Sequence, residues 1–107
     1  SGWKVPGIAA RTKNPKADSP ESLNQGKAVW AKNCVSCHGN AGKGDGPEAG
    51  KLETPVPDMS DPELMSQSDG ELFRKVTVGR RPMPGYKQTL SDDELRDVVN
   101  FMRTLAK

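Results

Sequence analysis

The chain has 107 residues, of which 33% are hydrophobic and only five are aromatic, and its formal net charge is +2. A chain of this length forms one domain with a modest core, and its small net charge excludes the intrinsically disordered class. No stretch approaches the roughly 20 apolar residues that cross a bilayer, and no segment resembles a signal peptide, so we expect a soluble, mature form.

The first segment, residues 1–19, has four basic side chains, one acid and two prolines but no sustained apolar period. We interpret it as an N-terminal arm or linker ahead of a domain that comprises residues 20–107. Trp3 is a candidate for docking the arm onto the domain. An incidental aromatic residue is the alternative, and the sequence leaves both open.

The first predicted helix begins after Ser19, which is the expected N-cap, with Pro20 at the first helical position. A spacing of three and four residues places one set of side chains on its inward face: Leu23, Gly26, Trp30, Cys34 and Cys37. The two cysteines therefore lie at the end of the predicted buried stripe.

Two further helices are predicted by capping boxes, formed by Ser68 with Glu71 and by Ser91 with Glu94, and Gly79 is the expected stop of the first of them. Their predicted inward residues are Leu72, Phe73 and Val76, and then Leu95, Val98, Phe101 or Met102, and Leu105. The regions 38–67 and 79–90 are rich in Gly and Pro and are predicted loops. The predicted fold is therefore all-α, with three to five short helices and long loops.

Both cysteines and the only histidine stand together in "CVSCH", which spans residues 34–38. A structural zinc site normally takes four ligands, and this cluster offers three. A thioredoxin-like dithiol belongs in a βαβ setting, and a disulfide across so short a loop contributes little stability. The C-x-x-C-H spacing is typical of covalent haem attachment, which we favour among these four interpretations.

Haem attachment also explains the order of the residues. Cys34 and Cys37 are one helical turn apart, so both sulfurs can reach the two vinyl groups, and His38 then becomes the proximal iron ligand. A large apolar ring would supply the core that the amino acids lack. The glycines that follow are expected to let the backbone turn tightly against that ring.

The second axial ligand is predicted to be a methionine, because the chain has no second histidine and methionine is the usual partner. Met83 is favoured, since Pro82 and Pro84 on either side stiffen its loop. Met59, in another proline-rich loop, remains the rival. Met65 and Met102 are interpreted as core residues.

From about residue 20 to residue 107 the chain resembles a class I monohaem cytochrome c. The resemblance rests on Gly26 and Trp30 ahead of CVSCH, the "GKGDGP" loop, the late "MPGY" and a closing helix with Phe101 and Leu105. It implies that Gly26 lets the first helix cross the last one near Phe101. It also implies that the Pro47 carbonyl accepts a hydrogen bond from His38 Nδ1, although a simple turn at Pro47 stays open. Trp30 and Tyr86 are further candidate haem contacts.

Charge is divided along the chain. Residues 45–71 contain eight acids and one base, whereas residues 74–87 contain five bases and no acid. Arg80 and Arg81 either neutralise haem propionates or are simply solvated, or they form a basic rim that steers an acidic redox partner. Nucleic acid is excluded by the low net charge and the lack of interleaved aromatics. A membrane-complex association through the arm stays open, and we expect a monomer.

The predicted function is one-electron transfer between redox proteins, with no enzymatic activity. The alternative is a haem domain with a labile methionine ligand that acts as a peroxidase or a gas sensor. A further alternative, an excised domain of a larger oxidase or reductase, changes the partners but not the chemistry. Because haem attachment in the resembled family takes place outside the cytoplasm, we expect a periplasmic or otherwise extracytoplasmic location.

Overall fold

The computed structural model describes residues 3–106; residues 1, 2 and 107, at the outer ends of the predicted arm and domain, lie outside the described residues. Its five α-helices are α1 (Gly7–Arg11), α2 (Pro20–Asn33), α3 (Val35–His38), α4 (Asp69–Val78) and α5 (Asp92–Arg103). Single 3₁₀ turns occur at Ala49–Lys51 and Leu64–Ser66. Within residues 3–106 there is no β-strand, and the predicted all-α class is confirmed. No helix in this range has the length and apolar character needed to span a membrane.

The predicted helix caps are all present. Ser19 Oγ accepts a hydrogen bond from the Ser22 amide at 3.2 Å, and Pro20 opens α2. The capping boxes of α4 and α5 are both complete, with the serine and glutamate of each box bonded in both directions. Gly79 ends α4 with a φ of 72°, a left-handed conformation that favours glycine.

The core forms where α2 crosses α5. Gly26 lies at the crossing, and a Cβ atom there would collide with the Asp97 carbonyl oxygen and lie 2.8 Å from Phe101 Cβ. The family implication that Gly26 permits this close approach is confirmed. On the α5 side the apolar residues buried at or near this crossing are Leu95, Val98, Val99, Met102 and Leu105.

The buried face of α2 differs from the predicted one at its start. Leu23 is only half-buried, and Ser22 is buried beside it. The reason is polar: Ser22 Oγ donates to the carboxylate of Asp97 at 2.6 Å, and that carboxylate is itself almost completely buried. A buried carboxylate needs hydrogen-bond donors, so a serine faces the crossing there in place of the leucine.

The segment before residue 19 contains the helix α1, which the sequence did not predict. Five residues are too few to establish an apolar period, and α1 buries none of its side chains. It packs on the start of α4, where Gly70 faces the carbonyl oxygens of Ala9, Ala10 and Thr12. The division of the chain at residue 19 stays a prediction.

Gly26→Ala is expected to lower the free energy of unfolding by about 3 kcal/mol or more, because the added methyl group meets backbone atoms of α5 that cannot move independently. Gly50→Ala is the matched control, since a Cβ atom at Gly50 has no neighbour within 4 Å. Its effect should stay within about 0.5 kcal/mol. Denaturant unfolding of the two variants measures the difference. Equal losses would mean that the crossing tolerates a wider separation.

Candidate functional site

The predicted attachment motif, CVSCH at residues 34–38, lies at the junction of α2 and α3. Cys34 is the C-cap of α2, and its amide donates to the Trp30 carbonyl at 2.8 Å. The next turn carries Cys37 and His38, and the His38 amide donates back to the Cys34 carbonyl at 2.9 Å. Cys34 is buried and Cys37 is half-buried, and both are free thiols. The predicted helical turn between the two cysteines is therefore present.

The glycine-rich loop closes over the exposed end of α3. Its amides donate to the three last carbonyls of the helix: Gly44 to His38 at 2.8 Å, Gly46 to Cys37 at 3.1 Å and Glu48 to Ser36 at 2.7 Å. A helix end leaves such carbonyls without intrahelical partners, so the loop stabilises the turn that carries the motif. Two of the loop glycines face carbonyl oxygens of the chain, since a Cβ at Gly46 would collide with α3 and a Cβ at Gly44 would collide with the Val56 carbonyl oxygen.

His38 has one ring nitrogen without a partner. Nδ1 is buried and makes no hydrogen bond, so the expected bond to the Pro47 carbonyl is not formed in this structure. Pro47 itself is exposed. Burial lowers the pKa of His38, which favours the neutral imidazole that a metal ligand requires.

Trp30 lies between the motif and the helix crossing. Its side chain is 2% exposed, and its indole Nε1 donates to the Gly39 carbonyl at 3.2 Å. The indole ring is 5.4 Å from the His38 ring and 5.9 Å from the Phe101 ring, measured between centroids. Trp30 therefore packs between the His38 ring and the Phe101 ring and connects the histidine to α5.

Two of the alternative interpretations of CVSCH, the redox dithiol and the zinc site, are disfavoured by the surroundings of the cysteines. Burial raises the pKa of the Cys34 thiol to about 12, so the thiol is neutral and lacks the thiolate character of a redox dithiol. Among residues 3–106 no three His, Cys, Asp or Glu side chains come together to hold a metal ion, as a zinc site would need. Two free thiols, an adjacent imidazole and an unpartnered Nδ1 fit a covalently attached haem.

Met83 lies in a loop that is closed by backbone hydrogen bonds. The Arg80 amide donates to the Met83 carbonyl at 3.0 Å, and the Met83 amide donates to the Arg80 carbonyl at 2.9 Å. Gly79 and Gly85 meet at the base of the loop, where a Cβ on either would collide with the backbone opposite. Met83 is half-buried and packs against the core.

Tyr86 joins the Met83 loop to the attachment motif. Its hydroxyl donates to the carbonyl of Asn33, the residue before Cys34, at 2.9 Å. Burial raises the pKa of the Tyr86 phenol, and the nearby Cys34 and Cys37 add to the shift. The structure thus brings the loop and the motif together, although they are about fifty residues apart in sequence.

The rival methionine, Met59, belongs to the core. It is 7% exposed, its amide donates to the Gly42 carbonyl at 2.6 Å, and it lies with Leu105 around Gly42. Met65 and Met102 are also buried, as the sequence predicted for core residues. Met83 is the only one of the four methionines that is not in the buried set.

Arg81 is exposed and takes part in no ion pair within the described part of the chain. Its neighbour Arg80 has its guanidinium 4.9 Å from the centroid of the Trp3 ring. Trp3 therefore docks onto the domain, which the sequence had left open. Sequence reasoning missed the Asn33 carbonyl as the acceptor for Tyr86 and the Gly39 carbonyl as the acceptor for Trp30, because a backbone acceptor has no signature of its own.

Comparisons with known proteins identify cytochromes c and cytochrome c subunits among the relatives of this chain. The family described as cytochrome c oxidase, cbb3-type, subunit III matches residues 21–102. The cytochrome c subunit of alcohol dehydrogenase (quinone) from Gluconobacter oxydans is 38% identical over 91 residues, which cover 75% of this chain and 18% of that protein. Cytochrome c6 from Synechocystis sp. is 31% identical over 81 residues, which cover 75% of this chain and 62% of that protein.

A solved structure has the same fold over most of the chain. The reducing HAO-like protein complex of Kuenenia stuttgartiensis aligns with a TM-score of 0.80 and 26% identity, covering 87% of this chain and 47% of that one. The chain thus spans only part of each of these three relatives. The family match nevertheless includes α2, the attachment motif, the Met83 loop and almost all of α5. The chain therefore belongs to the c-type cytochrome family, as its resemblance predicted, with the covalently bound haem c that this family implies.

Proposed function

We propose that the protein is a one-electron carrier with a single haem c, attached through Cys34 and Cys37. His38 and Met83 are the two side chains that would hold the haem iron. The observation that carries the proposal is the Tyr86 tether, which holds the closed Met83 loop against the end of the helix that presents Cys34. Because both side chains that would hold the iron belong to this chain, the proposed chemistry is electron transfer without a bound substrate.

The bound haem supplies a one-electron iron couple, and no covalent bond to a substrate is made or broken. The chain holds the two ligands so that their positions change little between oxidation states. On one side the loop amides restrain α3; on the other, two backbone hydrogen bonds restrain Met83. The Met83 thioether is a weak donor, which raises the reduction potential.

The orientation of His38 depends on its second ring nitrogen. We assign the Pro47 carbonyl as the acceptor for Nδ1–H in the loaded protein. Pro47 lies between Gly46 and Glu48, whose amides are both bonded to carbonyls of α3, so its carbonyl is held beside the helix that carries the ring. A hydrogen bond there fixes the tautomer and raises the basicity of the ligand nitrogen.

Three other predicted contacts remain part of the proposal. Trp30 excludes water behind His38, and its burial supports that role. Tyr86 contacts the haem from the Met83 loop. Arg81 either neutralises a propionate or faces the redox partner, and its exposure is compatible with both.

We infer that the partners are a redox protein donor and acceptor, with an acidic surface at the contact. The five bases of residues 74–87 flank Met83 along the sequence, with no acid among them. Opposite charges raise encounter rates while keeping complexes short-lived. The match to an oxidase-subunit family supports association with a membrane complex and an extracytoplasmic location as parts of this proposal.

The peroxidase and gas-sensor alternative receives no support from the relatives, which are electron-transfer cytochromes. One relative is a subunit of a dehydrogenase complex by name, so an electron-transfer domain of this kind also serves within an enzyme. The protein itself is proposed to be an electron-transfer protein and not the enzyme.

Mass spectrometry of natively produced, denatured protein is expected to show the 11.6 kDa chain plus the mass of one haem. Thioether bonds survive denaturation, whereas a haem held only by axial ligands does not. The Cys34→Ala and Cys37→Ala double variant is the control and should release its haem on unfolding. A bare chain mass in the unsubstituted protein would exclude the proposal.

Met83→Ala is expected to abolish the far-red methionine-to-iron band of the oxidised protein and to let the reduced protein bind CO. Removal of the thioether opens one axial position. Met59→Ala should keep the band and bind no CO, while losing about 2–4 kcal/mol of stability because Met59 is a core residue. Absorption spectra of both variants with and without CO provide the test. The reverse pair of results would assign the ligand to Met59.

Arg81→Gln is expected to slow oxidation of the reduced protein by ferricyanide about twofold to fivefold at low salt and to speed oxidation by a cationic cobalt complex. A local positive charge near the electron-transfer edge attracts anions and repels cations. Lys27→Gln on the exposed face of α2 changes the net charge equally and is the control. Stopped-flow rates that fall equally in both variants would mean that net charge alone acts.

A further inference from the structure

The segment before α2 is anchored to the domain at two places. At the first, Ser68 Oγ donates to the Ala10 carbonyl, and Gly70 allows the backbone of α1 to lie directly on the start of α4. A side chain at Gly70 would collide with the Ala9 carbonyl oxygen. This contact fixes the course of α1 across α4.

The second anchor lies on α5. Lys16 Nζ is 2.7 Å from the carboxylate of Asp97, which is 1% exposed, and the pair satisfies a charge that is buried at the helix crossing. Asn14 donates to the Arg96 carbonyl at 3.1 Å and to Asn100 at 3.0 Å. These bonds do not involve the first residues of the chain, so the arm keeps its place whatever residue stands at position 3.

Beyond these anchors the chain runs back to Trp3, which lies on the base of the Met83 loop. The Trp3 ring centroid is 4.9 Å from the Arg80 guanidinium carbon and 5.4 Å from Lys75 Nζ. Both distances are within the range of a cation–π interaction. Lys75 lies in the last turns of α4, so the ring bridges the helix end and the loop that follows it.

Arg80 is also the residue whose backbone holds Met83. Its amide and its carbonyl make the two hydrogen bonds that close the loop. A contact that restrains Arg80 therefore also restrains the backbone of Met83, because the two backbones are hydrogen-bonded directly to each other. Opening of the loop would require the Arg80 segment to separate from Met83 or to move with it and leave Trp3.

We propose that Trp3 is a positioning residue that holds the Met83 loop closed through Arg80, so that the N-terminal arm controls how readily the methionine ligand is displaced. This inference rests on the proposed role of Met83 as the axial ligand. Local opening of a loop is governed by the few contacts that hold it, so one additional contact at its base lowers the open population directly.

Displacement of the methionine by imidazole in the oxidised holoprotein tests the proposal, because imidazole enters only when the loop opens. Trp3→Ala is expected to increase the imidazole binding rate roughly threefold to tenfold, as expected for loss of contacts with two cations. The pH at which the far-red band disappears should fall in the same variant. Trp3→Phe retains an aromatic face and should restore most of both properties.

Ile8→Ala is the matched control on the same arm, since Ile8 is 78% exposed and belongs to neither anchor. It should leave the imidazole rate unchanged. Arg80→Gln should raise the rate in the same direction as Trp3→Ala, and the double variant should add little to the Trp3→Ala change, because both substitutions remove the Trp3–Arg80 contact.

The proposal is overturned if Trp3→Ala binds imidazole at the same rate as the unsubstituted protein. A lower melting temperature in that variant would then mean only that Trp3 stabilises the fold. Failure of the ligand assignment is recognised separately. In that case Met83→Ala keeps the far-red band, whereas failure of this inference alone leaves Met83→Ala without the band and Trp3→Ala unchanged.

Discussion

Backbone contact between α2 and α5 at Gly26 fixes the position of the helix that leads into the CVSCH motif. The crossing sets the register of α2, and α2 ends one residue before Cys34. Trp30 then extends the contact, because its ring lies between Phe101 on α5 and His38 on α3. Since close-packed interiors transmit displacement, a wider crossing would move the histidine with the helix. The position of the imidazole is thus decided at a glycine twelve residues earlier.

The same crossing buries the carboxylate of Asp97, and this charge explains why the N-terminal arm belongs to the fold. A buried carboxylate is costly without donors, and its donors come from Ser22 on α2 and Lys16 on the arm. The hydrogen bond to Asp97 in turn raises the pKa of Lys16, which keeps the lysine charged. The arm is therefore tied to α5, and Trp3 at its far end contacts Arg80 at the base of the Met83 loop.

Features that depend on neighbours in sequence were predictable. The capping boxes of α4 and α5 join residues three apart, and the CVSCH motif joins its cysteines and histidine within five residues. The all-α class and the family followed from these local patterns and were confirmed. Prediction was weaker for the inward face of α2. The apolar period predicts Leu23 at the start of that face, but Ser22 is buried there because it donates a hydrogen bond to the buried carboxylate of Asp97 on α5.

The sequence by itself therefore determined α2, α4 and α5 with their caps and the CVSCH motif that begins at the end of α2, because these follow from spacing along one segment. Only the tertiary structure decided which distant groups meet: the Tyr86 hydroxyl with the Asn33 carbonyl, and Trp3 with Arg80. Hydrogen bonds and cation–π contacts act over a few ångströms, and these partners are more than fifty residues apart. A periodic pattern indicates which face of a helix is buried. It does not indicate which residues of other elements contact that face, because those contacts form only when the helices pack.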